Sequence, residues 1–276
     1  MPIDFVQDLG LDTNTKSIAT NFKDLFLGRI SEQHKNIYKV ITEKAEVLAR
    51  VSGKYSYLAS TKSEFPVVGD WVLLSADQND QGAVIIHHLL PRRTKLQRKE
   101  PGTKEQTQVL VANIDFIFVC MSLNKDFNPR RLERYIAIAW DSGATPVIVL
   151  TKKDICSDIK EKLAAIENIS SEVDILITSS NDVKTIDAFR KYLTTGKTSV
   201  FVGSSGVGKS TLINLLAGKE LLKTKEIRND DRGKHETTNR QLIILPKGGI
   251  VIDTPGLREI QIDTGDVGHT FYDIEE

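Results

Sequence analysis

The sequence has few cysteines, no surplus of charge and no long apolar run. Only Cys120 and Cys156 occur among its 276 residues, so a four-cysteine zinc site is excluded, and both suit buried thiols in a reducing cytoplasm. Lys and Arg together number 37, as do Asp and Glu, which excludes a strongly basic nucleic-acid coat but leaves a local basic face open. No stretch approaches the roughly 18 apolar residues of a membrane span, and residues 1–5 do not begin a secretory signal. These absences predict a cytoplasmic protein with no membrane partner.

The rest of the composition is that of a folded protein. Hydrophobic residues make up 40% of the chain, which is enough to build buried cores, and low hydrophobicity is not combined with net charge as in disordered chains. The 18 glycines and 8 prolines do not fit a collagen-like or proline-rich chain. The length predicts two modest domains or one large one.

Residues 28–95 have the pattern of a small β-barrel. Short apolar or alternating runs separated by turn residues begin at Gly28 and continue over 38–42, 45–51, 67–74 and 83–90. About five strands of this length predict an OB-like barrel, and an SH3-like barrel fits almost as well. Residues 1–27 are expected to form a weakly helical, partly loose leader, and Trp71 is expected in the barrel core.

A basic segment follows the barrel. Five basic residues and no acidic one lie between Leu89 and Lys99, namely Arg92, Arg93, Lys95, Arg98 and Lys99. They indicate either a solvated linker, taken here as residues 96–108, or a patch that faces nucleic-acid phosphates. A second basic group at Arg130, Arg131 and Arg134 opens a predicted helix, and a solvated helix face is favoured over an RNA contact there.

Beyond residue 108 the pattern changes to strands that alternate with helices. Continuous apolar runs at 114–120 and 146–150 are typical of buried parallel strands. Helical segments are expected over 130–140, 157–168, 182–194 and 209–217, with further strands at 174–178, 198–202, 241–245 and 250–252. The alternation predicts a mostly parallel sheet with helices on both faces over residues 109–262, and Trp140 is expected in its core.

A phosphate-binding loop stands out in this second part. The segment from Gly203 to Ser210 matches G-x-x-x-x-G-K-[ST], with a predicted strand before it and a helix opening within it. Backbone N–H groups of such a loop cradle phosphate oxygens, its lysine reaches the β- and γ-phosphates, and its serine hydroxyl binds Mg²⁺. The expected phosphate-binding residues are Gly203, Ser204, Ser205, Gly206, Val207, Gly208, Lys209, Ser210 and Thr211.

A second motif indicates which base is bound. Thr151-Lys152-Lys153-Asp154 follows the strand at 146–150 and matches the [NT]-K-x-D motif of GTP-binding folds. The Asp154 carboxylate can accept from the N1–H and 2-amino groups of guanine, which adenine does not offer. Taken alone, these residues could instead begin a helix with Asp154 near its cap. Ser179 and Ser180, after the next strand, are expected where a backbone N–H contacts guanine O6.

A third motif and the segment before it point to a magnesium-dependent switch. Asp253-Thr254-Pro255-Gly256 follows the strand at 250–252, and we expect Asp253 to hold Mg²⁺ through water and the Gly256 N–H to sense the γ-phosphate. The long polar segment 223–240 contains Thr237 and Thr238, one of which would close over Mg²⁺ as a switch threonine. An ordinary flexible insertion is the alternative for this segment.

The motifs occur in a rotated order. Ras-like chains run from P-loop to D-x-x-G and then to the base-reading motifs, whereas here the base-reading motifs at 151 and 179 precede the P-loop at 203. The order predicts a circularly permuted P-loop GTPase domain, joined across its former ends by the short segment 194–197. Such a joint is feasible because the termini of compact domains often lie close together.

The barrel followed by this rotated order resembles the ribosome small-subunit-dependent GTPase A family (RsgA/YjeQ). Four segments are similar to that family's motifs, namely GSSGVGKSTLINLLAG, RGKHETTNR, IDTPGLRE and VLTKKD. The similarity spans about residues 28–276. The resemblance implies a GTPase that acts late in maturation of the small (30S) ribosomal subunit, is stimulated by that subunit and contacts 16S rRNA. We expect a monomer that uses GTP, GDP and Mg²⁺.

The family's zinc module is the main point of departure. Its Cys/His ligands would begin just after residue 276, so residues 263–276 are expected to be a C-terminal extension at the start of that module. The resemblance implies zinc for the family, but no zinc site is expected in this chain.

Hydrolysis poses a separate question. Ras-type enzymes place a glutamine directly after the D-x-x-G glycine to orient the attacking water, and this chain has Leu257 there. His235 in the switch segment is the candidate for that role, because a neutral imidazole can accept from water and the family has a histidine in this context. The alternative is a solvated surface histidine with no catalytic role.

Three functions remain to be separated. The first is GTP hydrolysis in assembly of the small subunit, with His235 and Lys209 as catalytic residues. The second is a GTP-dependent RNA- or ribosome-binding switch with negligible hydrolysis, which Leu257 would allow. The third, an ATP-using enzyme such as a small-molecule kinase, is disfavoured by Asp154.

Overall fold

Five strands near the start of the chain close into a small barrel. The computed structural model describes residues 3–78, 82–99, 107–179, 183–222 and 240–254. The barrel order is β1-β2-β3-β5-β4, closed by pairing of β4 with β1, and β3 and β5 run parallel. This Greek-key order, with a short helix between β3 and β4, is that of an OB-fold and excludes the SH3-like alternative. The elements are β1 Phe26–Gln33, β2 Tyr38–Ile41, β3 Glu46–Val51, β4 Trp71–Gln78 and β5 Val84–Leu89, with helix α1 Thr13–Ala19 before them and α2 Gly53–Leu58 between β3 and β4.

The leader is part of the core rather than loose. Phe5 and Leu9 are buried, and the Phe5 ring meets Trp71 edge-on with its centroid at 5.5 Å. Helix α1 begins after Asp12, whose side chain accepts from the Thr15 N–H at 2.9 Å as an N-cap. Trp71 is only 1% exposed, which confirms its expected place in the core.

The segment expected as a linker at 96–108 carries strand structure. Strand β6, Lys95–Lys99, pairs antiparallel with β7, Thr107–Ala112, in a separate two-stranded sheet. The pairing is favourable because Leu96, Val109 and Val111 are buried.

Two arginines of the basic segment, Arg92 and Arg93, pair with carboxylates. The Arg92 guanidinium binds the buried Asp70 carboxylate at 2.8 Å and the Ser63 and Phe65 carbonyls. Arg93 pairs with Asp115 at 3.0 Å. Both arginines therefore fix the junction after the barrel.

A six-stranded sheet forms the second part of the fold. Its order is β10-β9-β8-β11-β13-β12, and all neighbours are parallel except β12 and β13. The central strands are nearly continuous apolar runs, as is typical of strands in a sheet whose two faces are both covered. Its elements are β8 Phe116–Ser122, α3 Pro129–Asp141, β9 Thr145–Thr151, α4 Ile159–Ala164, β10 Ile175–Ile177, β11 Thr198–Val202, α5 Lys209–Ala217, β12 Gln241–Ile244 and β13 Ile250–Asp253.

Two expectations for this part are wrong. The helix expected over 182–194 is a 3-10 helix over Val183–Phe189, which packs the Phe189 ring against Phe118 with centroids 5.1 Å apart. Trp140 is 49% exposed, because the buried stripe of α3 runs through other positions and Trp140 lies beside it.

The barrel and the second sheet share one edge. Strand β1 pairs with β12 at Glu32 and Gln241, so both parts belong to a continuous sheet. Beside this pairing the side chain of Arg29 is buried. It donates to the carbonyls of Leu9, Gly69 and Asn113 at 2.6, 3.2 and 3.1 Å and to the Thr198 hydroxyl at 3.0 Å. One guanidinium thus joins the leader, the barrel and the start of β11.

Candidate nucleotide-binding site

The P-loop connects the end of β11 to the start of α5. Gly203, Gly206 and Gly208 have φ values of 140°, 74° and 103°, in the range that favours glycine. A side chain at Gly203 would also lie 2.3 Å from the Cys120 carbonyl oxygen on the neighbouring strand. Helix α5 then begins at Lys209, so its N-terminal N–H groups belong to the same loop. This is the strand–loop–helix context that the sequence predicts.

Lys209 folds back over the loop it follows. Its Nζ donates to the carbonyl oxygens of Gly203 at 2.6 Å and Ser204 at 2.7 Å. The ammonium group is therefore held at the phosphate-binding loop by the loop's own carbonyls. Nucleotide phosphates would compete with these carbonyls for the same ammonium.

The base-reading motif is fastened to the P-loop. Thr151, the last residue of β9, donates its hydroxyl to the Val207 carbonyl at 2.7 Å. Lys152 then adopts a left-handed conformation with φ of 61°, and the N–H of Lys153 donates to the Thr178 carbonyl at 3.1 Å. The chain turns sharply after β9, and a 3-10 turn over Lys153–Ile155 follows.

Asp154 is exposed on this turn and is oriented by a serine. The Ser179 hydroxyl donates to Asp154 Oδ1 at 2.8 Å, and Ser179 itself is buried. The Ser179 N–H donates to the Thr185 hydroxyl at 3.3 Å. The structure therefore brings Ser179 and Asp154 together through side chains, whereas the sequence suggested a backbone role for this serine. Ser180, which was expected beside it, lies outside the described residues.

One cavity is lined by residues of both motifs, although Asp154 and Lys209 are not among them. It has a volume of about 530 Å³, within the usual range for small-ligand sites, and both Thr151 and Lys152 line it together with P-loop residues. A larger cavity of about 850 Å³ lies beside α2 and β5 of the barrel and contains neither motif. The residues lining the first cavity are Ser122, Asn124, Asp126, Thr151, Lys152, Thr178, Ser205, Gly206, Val207, Gly208, Thr211 and Leu212.

Three polar residues that follow β8 line this cavity and were not singled out from the sequence. Ser122, Asn124 and Asp126 follow β8, and the Ser122 hydroxyl donates to Asn124 Oδ1 at 2.7 Å. Strand β8 lies between β9 and β11, the strands that carry the two motifs. The signal that could have found them is positional, because ligands of open α/β sheets bind at the carboxyl ends of neighbouring strands.

The residues predicted to hold magnesium are described in part. Ser210 on α5 and Asp253 at the end of β13 are half-buried. The Thr254 Oγ1 next to Asp253 is buried and has no hydrogen-bond partner among the described residues. Within those residues no group of three His, Cys, Asp or Glu side chains forms a metal cluster. The expected residues Gly256, Thr237, Thr238 and His235 lie outside the described part of the chain.

Comparisons with known proteins agree with this geometry. The RsgA GTPase family model matches residues 89–263. The chain is 50% identical over 266 residues to small ribosomal subunit biogenesis GTPase RsgA 2 of Lactiplantibacillus plantarum, covering 96% of this chain and 75% of that protein. It is 44% identical over 243 residues to small ribosomal subunit biogenesis GTPase RsgA of Methanosarcina acetivorans, covering 87% of this chain and 64% of that protein.

A solved structure shows the same architecture. The crystal structure of YjeQ from Thermotoga maritima superimposes with a TM-score of 0.64 at 26% identity, covering 86% of this chain and 77% of that one. Since the family match spans more than half of the sequence and the relatives exceed 40% identity, the chain belongs to the RsgA GTPase family.

Proposed function

We propose that this chain binds GTP with Mg²⁺ and hydrolyses it to GDP and phosphate. The observation that carries the proposal is the cavity that P-loop residues share with Thr151 and Lys152. The loop residues 203–211 would hold the phosphates through backbone N–H groups, and the Lys209 ammonium would exchange its loop carbonyls for the β- and γ-phosphates.

Base selection is assigned to Asp154. Its carboxylate would accept from guanine N1–H and the 2-amino group, while the Ser179 hydroxyl holds one of its oxygens in place. Adenine presents neither donor, so the carboxylate would lose water without gaining a partner. Thr151, Lys152 and Lys153 would complete this end of the site, with the stem of Lys152 along the base plane.

The residues present fit a magnesium ion. Mg²⁺ takes oxygen ligands and binds one or two protein groups together with substrate phosphates, so the small number of acidic residues here is no obstacle. Ser210 and Asp253 would hold it, with Thr237 or Thr238. The buried Thr254 hydroxyl beside Asp253, which has no hydrogen-bond partner among residues 240–254 and the other described ranges, would be available to a further polar partner. When bound, the ion would neutralise charge that develops on the phosphates.

Water activation is assigned to His235. Leu257 cannot hydrogen-bond to water, so a residue outside D-x-x-G has to orient the nucleophile. We expect slow intrinsic hydrolysis, with His235 brought into place by a partner. His235→Ala should then lose the stimulated rate, and a stimulated rate equal to that of the unaltered chain would exclude this role.

The names of the relatives indicate which partner this chain would have. The two RsgA proteins are named for biogenesis of the small ribosomal subunit. We extend this to the present chain as a cytoplasmic monomer that contacts 16S rRNA, divided into a leader at 1–27, a barrel at 28–95, a connection at 96–108, a GTPase domain at 109–262 and an extension at 263–276. The described residues contain no helix long and apolar enough to cross a membrane.

One experiment tests the activity and its partner together. GTP and ATP turnover are measured with Mg²⁺, with and without purified 30S subunits. Turnover of GTP alone that rises with subunits supports the proposal. Tight GTP binding without turnover under either condition would favour a binding switch, and ATP turnover would contradict the role of Asp154.

A further inference from the structure

Arg131 lies against the P-loop although it is far from it in sequence. Its Nη1 donates to the Ser204 hydroxyl at 2.6 Å, across a separation of 73 residues. The same nitrogen lies 3.4 Å from the exposed Asp126 carboxylate, which is a longer and weaker contact. The Arg131 side chain is only 26% exposed, so this guanidinium is directed into the protein rather than along a solvated helix face.

The position of Arg131 is fixed by the start of α3. Asn128 caps this helix, its Oδ1 accepting from the Arg131 N–H at 3.0 Å, and Pro129 occupies the first turn. Helix α3 follows β8, which lies next to β11 in the sheet. The strand order therefore brings the first turn of α3 beside the loop that follows β11.

Ser204 is held by two cationic side chains. Arg131 contacts its hydroxyl, and the Lys209 ammonium contacts its carbonyl at 2.7 Å. When a nucleotide binds, the Lys209 ammonium, which has three N–H donors, would also contact the phosphates. The Arg131 contact does not have to break, so it would remain the side-chain hydrogen bond that holds the Ser204 hydroxyl.

We propose that Arg131 is a positioning residue for the phosphates, acting through the Ser204 hydroxyl. It keeps the first half of the P-loop in its cradle conformation. The inference rests on the proposed function, since it concerns the affinity of that same site. It also implies that the loss of Arg131 weakens nucleotide binding more than it weakens the fold, because the Ser204 carbonyl keeps its contact with Lys209.

The test is a double-mutant cycle on nucleotide affinity. Dissociation constants for GTP and GDP are measured with Mg²⁺ for the full chain and for Arg131→Ala, Ser204→Ala and the double variant. A lost hydrogen bond to a charged group should weaken both nucleotides about tenfold in Arg131→Ala. In the Ser204→Ala background the same change should have little further effect, because the two side chains act as one contact.

Arg130 provides the matched control. It occupies the same turn of α3 and is exposed, so Arg130→Ala removes the same charge without touching Ser204. Its nucleotide affinities should equal those of the unaltered chain, and the urea midpoints of both nucleotide-free arginine variants should stay close to the original. Arg131→Lys keeps the charge and a donor, and should recover part of the affinity.

The outcomes separate the two proposals. If the unaltered chain binds GTP tightly and Arg131→Ala binds it equally well, only the inference about Arg131 fails. It also fails if Arg130→Ala weakens binding as much, or if the losses from Arg131→Ala and Ser204→Ala simply add. If the unaltered chain binds neither GTP nor GDP, the proposed function fails and the inference falls with it.

Discussion

The Thr151 hydroxyl donates to the Val207 carbonyl at 2.7 Å, which ties the end of β9 to the middle of the P-loop. The two residues are 56 positions apart in sequence, and both are buried. One belongs to the motif that would read the base and the other to the loop that would hold the phosphates. The hydrogen bond therefore holds the end of β9 and the P-loop at a fixed separation.

Removing this hydroxyl should weaken nucleotide binding. Thr151→Val keeps the β-branched shape of the side chain but leaves the Val207 carbonyl without its donor. A neutral hydrogen bond contributes about 1 kcal/mol, so the GTP and GDP dissociation constants should each rise roughly fivefold. Titration with a fluorescent GDP analogue measures this change. Thr145→Val, on the exposed start of the same strand, should leave the affinity unchanged.

Exchange of the base-reading carboxylate should change which purine is bound. Asp154→Asn replaces one acceptor oxygen with an amide donor, which opposes the guanine 2-amino group but can donate to the C2 carbonyl of xanthine. We expect GTP affinity to fall on the order of 100-fold or more, while xanthosine triphosphate affinity rises.

The ratio of the two affinities serves as its own control, because misfolding would lower both. A variant that lost GTP and gained nothing for xanthosine triphosphate would show that Asp154 does not face the base. Ser179→Ala should lower GTP affinity to a smaller extent, because it removes only the donor that orients Asp154.

The parts of the site that local sequence encodes were predictable. The P-loop needs glycines at positive φ within a short segment, and the segment from Gly203 to Gly208 places them there. The Thr151–Asp154 motif and the end of β13 are likewise strand-end features. Residues of the P-loop and of the Thr151–Asp154 motif meet in one cavity because the carboxyl ends of parallel strands share an edge.

The remaining features depend on contacts between distant segments. The Arg131–Ser204 contact requires β8 and β11 to be neighbours, which the local pattern around Arg131 does not encode. Trp140 is apolar but lies beside the buried stripe of α3. Residues Lys95–Lys99 are mostly charged and lack apolar periodicity, so the local sequence indicates a linker. They form a strand because they pair with β7.

Arg29 should be essential for joining the barrel to the GTPase sheet. Burial lowers the pKa of its guanidinium to about 10, so the fold retains a desolvated cation at a cost. Arg29→Met would remove that cost but leave the Leu9 and Asn113 carbonyls and the Thr198 hydroxyl without their Arg29 donor. The Gly69 carbonyl would keep the Asn113 amide at 3.0 Å. Since each buried unsatisfied group costs about 1–3 kcal/mol, we expect a net destabilisation of about 3 kcal/mol.

Urea unfolding followed by circular dichroism and tryptophan fluorescence measures this loss. Trp71 reports on the barrel, and its ring lies 5.4 Å from the Arg29 guanidinium carbon. Arg93→Met is the control, because Arg93 also crosses the junction but is itself 46% exposed. Its partner Asp115 would keep Lys197 at 3.1 Å, so the loss should be less than about 1 kcal/mol. Equal midpoints for the two variants would show that Arg29 does not join the domains.

The two cysteines should differ from each other in their reactivity toward alkylating reagents. Burial raises the pKa of the Cys120 thiol from its ordinary value of 9.0 to about 12, although the nearby Lys209 charge opposes that shift. Cys156 is only half-buried. At pH 8 iodoacetamide should therefore alkylate Cys156 in the folded protein, and Cys120 only when β8 opens. Mass spectrometry of each cysteine peptide over time measures both rates.

The raised pKa of Cys120 also gives the protein a pH-dependent stability with a definite sign. Above pH 9 the unfolded chain releases the Cys120 proton while the folded chain keeps it, so the free energy of unfolding falls as the pH rises toward 12. Cys120→Ala lacks this contribution and should lose less stability than the unaltered chain between about pH 9 and pH 10.5. Parallel pH profiles for the two proteins, or alkylation of Cys120 as fast as Cys156, would contradict the buried thiol beneath the P-loop. Excess GDP should slow labelling of Cys120 further, because a ligand that binds only the folded state makes opening rarer.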